Sequence, residues 1–270
     1  MYPIRVVING AAGRMGQRLV ALAAGDADLR IVATLESPAH PRLGDDAGTL
    51  AGTAPLQVPL TSKLDAPADV VIDFSTPEGT ERILGACLDA RVPLVVATTG
   101  LAAGQQASLR DAAREIAILW APSMSLAVNL GMHLAEIAAA ALAEHPSGAD
   151  VEIVERHHRF KEDAPSGTAL KFGEIIARVM GQKHERHGRE GRPGKRPHDE
   201  IGYHALRVGD NPGEHTIVFG LLGETLEISV KATSRDCYAH GALAAAKFLA
   251  GKPPGLYGMN DVIRLGNAER

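Results

Sequence analysis

The chain has 270 residues, 45% of them hydrophobic and 22% charged, with a formal net charge of −4. That balance is too apolar for disorder, and it offers no cationic excess for nucleic acid or an anionic membrane. Aromatics make up only 4%, so the core must rest on Ala, Val, Leu and Ile, as in a buried parallel sheet under Ala-rich helices.

In chain order, residues 4–8 predict a strand, and 14–24 a helix with Met15, Leu19 and Leu22 on one side. A second strand over 30–35 ends at Glu36, and 37–68, rich in Pro, Gly and Asp, predicts loop with short extended pieces. A strand over 70–74 stops at Ser75-Thr76-Pro77. A helix over 81–90, a strand over 93–97, a helix over about 105–114 and a strand over 117–121 follow. This alternation is that of βαβ units, hence a Rossmann-like parallel sheet. After Pro122 the rhythm changes. A helix is expected over 130–144, a strand over 149–155, and a helix from Thr168 with Phe172, Ile175, Ile176 and Val179 at helical spacing. Residues 183–197 are basic, rich in Gly, Pro and His, and without period, which predicts an extended surface or substrate-closing loop. The interspersed Glu185 and Glu190, with no aromatics between the cations, argue against a nucleic-acid patch. Alternation over 203–208, 216–221 and 225–232 predicts an α+β second domain with a mixed sheet, and 239–250 a final helix. The composition shift near 122–130 marks the domain boundary.

No signal-peptide pattern is present, and no apolar run reaches the roughly 20 residues of a membrane span. The stretch 134–143, interrupted by Glu136, reads as a packed helix, so a cytoplasmic protein is expected. Cys87 and Cys237 have no spacing that points to a metal site or a disulfide.

Gly10-Ala11-Ala12-Gly13-Arg14-Met15-Gly16 places a Gly-rich turn between a strand and a helix. Glycine lets the backbone approach a pyrophosphate, and the helix start offers free N–H groups. The spacing is weaker than G-x-G-x-x-G. Glu36, twenty residues on at the end of the next strand, strengthens it, because a carboxylate there can accept from ribose hydroxyls. Ser37 follows Glu36, and the nearest fixed cation expected at this site is Arg14 of the Gly-rich turn. Little would therefore balance a 2′-phosphate, and the expected cofactor is NADH, preferred or shared with NADPH.

The densest chemistry is Glu155-Arg-His157-His158-Arg-Phe-Lys161-Glu-Asp-Ala-Pro-Ser166-Gly167-Thr168. Two imidazoles and an ammonium ahead of a Ser-Gly-Thr helix start could hold a dicarboxylate and supply a proton. The residues alone serve equally as a solvated basic strand with an ordinary helix cap.

This stretch resembles the E-x-H-H-x-x-K-x-D-A-P-S-G-T signature of the 4-hydroxy-tetrahydrodipicolinate (dihydrodipicolinate) reductase family of the diaminopimelate route to lysine. The similarity covers nearly the whole chain, through Gly10–Gly16, Asp73-Phe-Ser-Thr-Pro-Glu-Gly79, Arg189-Glu-Gly191, Gly213-Glu-His-Thr216, Ser234-Arg235 and Gly255-Leu-Tyr257. It implies hydride transfer from NAD(P)H to a cyclic imino dicarboxylate, with His157 and Lys161 catalytic and His158, Ser166, Gly167 and Thr168 on substrate. Cofactor contacts would extend to Ala97, Thr98 and Thr99, and to Ala121, Pro122, Ser123 and Met124. Here the chain departs from the family's Gly-Thr-Thr-Gly and Ala-Pro-Asn-Phe-Ser patterns. The resemblance further implies a homotetramer, a dinucleotide domain of 1–127 with 240–270, and a substrate and oligomerisation domain of 128–239. Another imino-acid or semialdehyde reductase would not need the 157–168 constellation. A non-catalytic nucleotide sensor would not need its His and Lys.

Overall fold

The computed structural model describes residues 2–145 and 148–263. Strand β1 (Ile4–Asn9) leads into α1 (Arg14–Ala24), β2 (Leu29–Leu35), the short α2 (Ala47–Leu50), β3 (Leu60–Thr61) and β4 (Val70–Asp73). Helix α3 (Pro77–Ala90), β5 (Leu94–Val96), α4 (Ala103–Ala112) and β6 (Ala117–Trp120) continue the alternation. Helix α3 starts four residues before the expected 81, because Thr76 caps it by accepting from the Gly79 N–H and Pro77 occupies the first turn.

The chain then enters α5 (Leu126–Ala143), β7 (Asp150–His157), α6 (Gly167–Met180), β8 (His184–His187), β9 (Glu200–Arg207), β10 (Glu214–Gly220) and β11 (Thr225–Lys231). It ends with α7 (Asp236–Leu249), β12 (Gly255–Tyr257) and α8 (Met259–Val262). Two units result: residues up to Leu126 together with those from Asp236 onward, and Ala127–Arg235.

In the first unit a seven-stranded parallel sheet runs in the order β12-β6-β5-β4-β1-β2-β3. Successive strand residues join opposite cores. Val6, Ile8, Val70, Ile72, Val95 and Leu119 pack with α1 and α7 on one face. Val7, Val71, Leu94, Val96 and Ile118 pack with α3 and α4 on the other. Burial on both faces is why these strands read as unbroken apolar runs.

The second unit holds a five-stranded mixed sheet, β11-β10-β7-β9-β8, antiparallel through β7 and parallel from β7 to β8. Its inner face (Val151, Ile153, Ile201, Ile217, Phe219) packs with Phe172 and Ile176 of α6 and Val128, Ala135 and Ala139 of α5. Helix α5 begins at Leu126, four residues before the expected 130, and by length and composition alone its 18 residues are apolar enough to cross a membrane. The expected packing applies to one face, while Leu130, Leu134 and Ile137 lie exposed on the other.

The expected extended loop over 183–197 is also corrected. His184–His187 forms β8 on β9, and Arg189 forks onto Glu152 (2.6 and 2.9 Å) while reaching Glu200 (2.6 Å). Arg196 holds Glu152 (3.0 Å) and Asp150 (2.7 Å). These cations are paired with sheet carboxylates, so neither arginine belongs to a free basic patch, while 188–197 keeps the expected loop character. Burial opposes ionisation of Glu152, but hydrogen bonds from Arg189, His204 and Arg196 prevail and hold it down at about 2. The stability it contributes is therefore complete above its ordinary value of about 4.5 and is lost as pH falls toward 2. Glu152→Gln should lower Tm by a few °C at pH 7 and flatten the acid limb between those values. Thermal unfolding against pH measures this, and coincident curves for the two proteins would exclude it.

Candidate active site

All sequence-predicted cofactor residues lie in the first unit and follow the carboxyl ends of parallel strands. Gly10–Gly16 follows β1, Glu36 follows β2, 97–99 follow β5 and 121–124 follow β6. The chain reverses its winding between β1 and β4, and ligands of such sheets bind at the strand ends beside that switch point. Gly10 has φ +77, and a Cβ there would stand 2.4 Å from the Phe74 carbonyl oxygen; one at Gly16 would stand 2.1 Å from the Gly10 carbonyl oxygen. Only glycine lets this loop close onto the start of α1. Gly13 caps α1 without a side-chain acceptor, so the first-turn N–H groups keep their positive field for an anion. The residues fit a dinucleotide's pyrophosphate.

Glu36 accepts from the Ala12 N–H (3.0 Å) and the Ser37 N–H (3.1 Å), which fixes its carboxylate against the Gly-rich turn. Arg14 was the cation expected beside it. In the structure Glu36 instead shares a cavity of about 280 Å³ with Ser62, Lys63 and Arg82. Arg82 also lines an adjoining cavity of about 220 Å³ with Gly10, Gly13, Ser37 and Thr76. Arg82 sits on α3, 46 positions from Glu36, where no sequence spacing links the two.

A buried carboxylate that sequence reasoning did not select holds these loops together. Asp73, at the end of β4, is fully buried. It accepts from Asn9 Nδ2 (2.7 Å), Ser75 Oγ (2.5 Å), Thr80 Oγ1 (2.5 Å) and Thr98 Oγ1 (2.8 Å). The Thr98 hydroxyl is thus committed inward. Met124 is likewise only 2% exposed, packed in the core with Ala239, Ala242 and Met259, while Thr99 and Pro122 lie at the surface.

In the second unit His157, the last residue of β7, is nearly buried, with Nδ1 2.5 Å from Oε2 of Glu155. Glu155 also accepts both terminal nitrogens of Arg207 (2.8 Å each) and the Ser166 N–H (3.1 Å). Arg207 spends its remaining donors on the carbonyls of Lys161, Asp163 and Leu206, so all five are used. This pins the 161–163 segment beside β9. Ser166 Oγ caps α6 by accepting from the Ala169 N–H (3.2 Å) and lies 2.9 Å from Nε2 of His215. Lys161 is partly exposed, its ammonium 2.8 Å from Asp163. Gly167 and Thr168 form the first turn of α6, and Nδ1 of His158 is buried with no partner among the described residues.

Burial lowers the His157 pKa, Glu155 opposes that, and Lys161 and Arg207 lower it further. Burial, reinforced by His157, pushes His215 down to about 4, so it is neutral near pH 7. Glu155 stays ionised: burial resists, but Arg207 and His157 outweigh it. Glu155, Arg207, His215 and Gly213 were not selected from the sequence as site residues. Strand register brings them in, because His157 faces Arg207 across β7–β9 and Glu155 faces His215 across β7–β10.

A doubly wound nucleotide-binding sheet with a glycine cradle, together with a separate unit carrying a buried carboxylate–imidazole centre, defines a Rossmann-like oxidoreductase. Comparison with known proteins narrows this. Residues 4–124 match the N-terminal and 127–263 the C-terminal domain of dihydrodipicolinate reductase. The chain is 54% identical to the 4-hydroxy-tetrahydrodipicolinate reductase of Rhodopirellula baltica, covering 98% of each chain. It is 46% identical to that of Nitrosomonas eutropha, over 98% of this chain and all of the relative. The dipicolinate-bound dihydrodipicolinate reductase of Paenisporosarcina superposes with a TM-score of 0.78 at 27% identity, covering 96% of this chain and 99% of that one. The chain belongs to the dihydrodipicolinate reductase family.

Proposed function

We propose that this protein reduces 4-hydroxy-tetrahydrodipicolinate, or its dehydrated dihydrodipicolinate form, to tetrahydrodipicolinate in the diaminopimelate route to lysine. The observation that carries this reading is the Glu155–His157 pair beside Lys161 and the start of α6, on the unit that matches the reductase C-terminal family. Unit one is the dinucleotide domain and unit two the substrate domain. When bound, reduced NAD(P)H supplies a hydride to the conjugated imine. His157 or Lys161 delivers the proton that completes the reduction, and Lys161 with His158 neutralises substrate carboxylate. The N–H groups of Gly167 and Thr168, at the positive end of α6, hold a carboxylate, and Ser166 fixes that turn. We place the enzyme in the cytoplasm as a homotetramer. The exposed Leu130, Leu134, Ile137, Leu206 and Leu226 of the second unit favour assembly, which sedimentation velocity measures.

The pyrophosphate falls to Gly10, Ala11, Ala12, Gly13, Arg14, Met15 and Gly16, and the ribose to Glu36. The nicotinamide side falls to Ala97, Thr98 and Thr99 and to residues 121–124. Arg82 and Lys63 in the cavity of Glu36 tilt the expected NADH preference toward use of both cofactors, since they supply the cations Ser37 does not. Arg82→Ala should weaken NADPH binding about tenfold, the loss of one charge-assisted contact, and leave NADH within about twofold. Equilibrium titration of each cofactor reads the difference, and equal losses would exclude it. The reading as a whole is tested with substrate generated from pyruvate and aspartate semialdehyde, following oxidation of NADH and NADPH at matched concentrations. Absence of oxidation with both would overturn it.

A further inference from the structure

The Glu155 carboxylate is the acceptor on which three segments converge: His157 from its own strand, Arg207 from β9, and the N-cap of α6. A carboxylate has about four lone-pair positions, and here Oε1 takes the Ser166 N–H and one Arg207 nitrogen, while Oε2 takes the other Arg207 nitrogen and His157 Nδ1. Every other partner is an obligatory donor, so the short contact at Nδ1 is a donation from the imidazole. That assigns the Nδ1–H tautomer to neutral His157 and leaves Nε2 as its exchangeable position.

A second, independent feature lies at the opposite edge of the ring. Gly213 has φ +151, and a Cβ there would come within 2.9 Å of His157 Nε2 and 3.2 Å of Cδ2. The space next to Nε2 exists because residue 213 carries no side chain, and its backbone conformation is one that L residues avoid. One edge of the ring is tied down, and at the other edge a side chain on residue 213 would press on Nε2.

We propose that Glu155 is a positioning residue for His157: it holds Nδ1–H, commits Nε2 to proton transfer, and relies on Gly213 to leave that edge open. This rests on the reductase reading for the identity of the proton acceptor, but the tautomer assignment does not. In the step itself the imidazolium gives its Nε2 proton to the substrate. The ring returns to the neutral Nδ1–H form, still held by Glu155, so the carboxylate neither gains nor loses a proton. The charged and titratable groups facing His157 are Glu155 from β7, Lys161, Arg207 from β9 and His215 from β10. Three of them oppose a proton on His157 or are themselves kept uncharged, and Glu155 alone supports it.

Glu155→Gln makes a prediction that follows from counting donors. An amide NH₂ placed at Oε1 would meet two donors, Ser166 N–H and Arg207. Placed at Oε2 it meets one, and His157 can invert to accept from it. The variant should therefore hold His157 as the Nε2–H tautomer with protonation disfavoured. Two-dimensional ¹⁵N–¹H spectra of the full-length protein, with His157 assigned by its loss in His157→Gln, should show Nδ1–H in wild type and Nε2–H in Glu155→Gln. Steady-state kinetics of Glu155→Gln should show kcat down at least roughly tenfold at pH 7.5, within the range of general-acid effects. The alkaline limb of its pH profile should lie about one unit lower, with NADH affinity within about twofold. A wild-type His157 in the Nε2–H form overturns the proposal whether or not the variant folds. An unchanged tautomer and pH profile in a folded Glu155→Gln protein overturns it as well. The spectra need no turnover, so failure of the reductase assay leaves this test standing and strikes only the assigned substrate.

Discussion

Replacing Lys161 by Ala is expected to lower kcat by about 10²- to 10³-fold, the range of a lost group that stabilises charge developing in the transition state, while the affinity for NADH stays within about twofold. The two readouts separate because of where Lys161 sits. Its ammonium is partly exposed and pairs with Asp163, whose side chain is 61% exposed. Such a surface pair contributes about 0–1 kcal/mol, so the fold should survive its loss nearly unchanged. The segment also does not depend on the amine for its position, because Arg207 holds the backbone carbonyls of Lys161 and Asp163. What the substitution removes is a cation next to the Glu155–His157 centre. KM for the dicarboxylate should rise with the fall in kcat, because the ammonium serves both the ground-state carboxylate and the reacting ring. Lys161→Arg should recover much of KM but less of kcat, since a guanidinium keeps the charge but is a larger, flatter group than the compact ammonium it replaces beside the reacting ring. Steady-state kinetics with a parallel cofactor titration settles the matter. Activity of Lys161→Ala within a few-fold of wild type would remove Lys161 from the chemistry.

The parts of the fold that the sequence anticipated are those whose burial repeats locally. Helix α1 spans the predicted 14–24 because Leu19, Val20 and Ala23 recur at helical spacing on a buried face. The strands of the first sheet stand out because both faces are covered. Strand β8 was missed for the converse reason. His184–His187 is wholly exposed and polar, and it is a strand only because β9 offers an edge. Helix α2 was also missed; Asp46 makes it by accepting from the N–H groups of Thr49, Leu56 and Val58, a convergence with no period. The site divides in the same way. His157, Lys161 and Ser166 are neighbours in sequence and were visible there. Arg207 and His215 lie 52 and 60 positions after Glu155 and come beside it only through strand register, and Asp73, although it opens the Asp73–Gly79 motif, had no spacing that linked it to Asn9, Thr80 and Thr98.

That acidic residue carries the largest stability effect we expect. Asp73→Ala should destabilise the protein by about 2–4 kcal/mol, the loss associated with removing a buried acceptor from donors that converge on it. The physical reason is the number of donors left behind. Asn9, Ser75, Thr80 and Thr98 all point hydrogens at this carboxylate from the ends of three adjacent strands and the start of α3. Ser75 and Thr80 keep a second, longer bond to the Thr76 carbonyl (3.3 and 3.2 Å) and Asn9 keeps one to Ser75 Oγ (3.2 Å), so Thr98 loses most, and a buried donor left unsatisfied costs about 1–3 kcal/mol. At 2–4 °C per kcal/mol for a chain of this size class, Tm should fall by roughly 4–16 °C. Asp73→Asn retains one acceptor oxygen and turns an NH₂ toward donors, so its Tm should lie between wild type and Asp73→Ala. Cofactor binding should weaken along with stability. Gly10 closes against the Phe74 carbonyl, the residue after Asp73, and Ser75 donates its backbone N–H to the Thr98 hydroxyl that Asp73 orients. Loosening β4 at its carboxyl end therefore loosens the glycine cradle, and NADH affinity should fall by tenfold or more in Asp73→Ala at a temperature where the variant is still folded. Calorimetry and a cofactor titration on the same preparation test both halves. A Tm within 2 °C of wild type would mean that the four donors find partners elsewhere and that Asp73 does not tie these loops together.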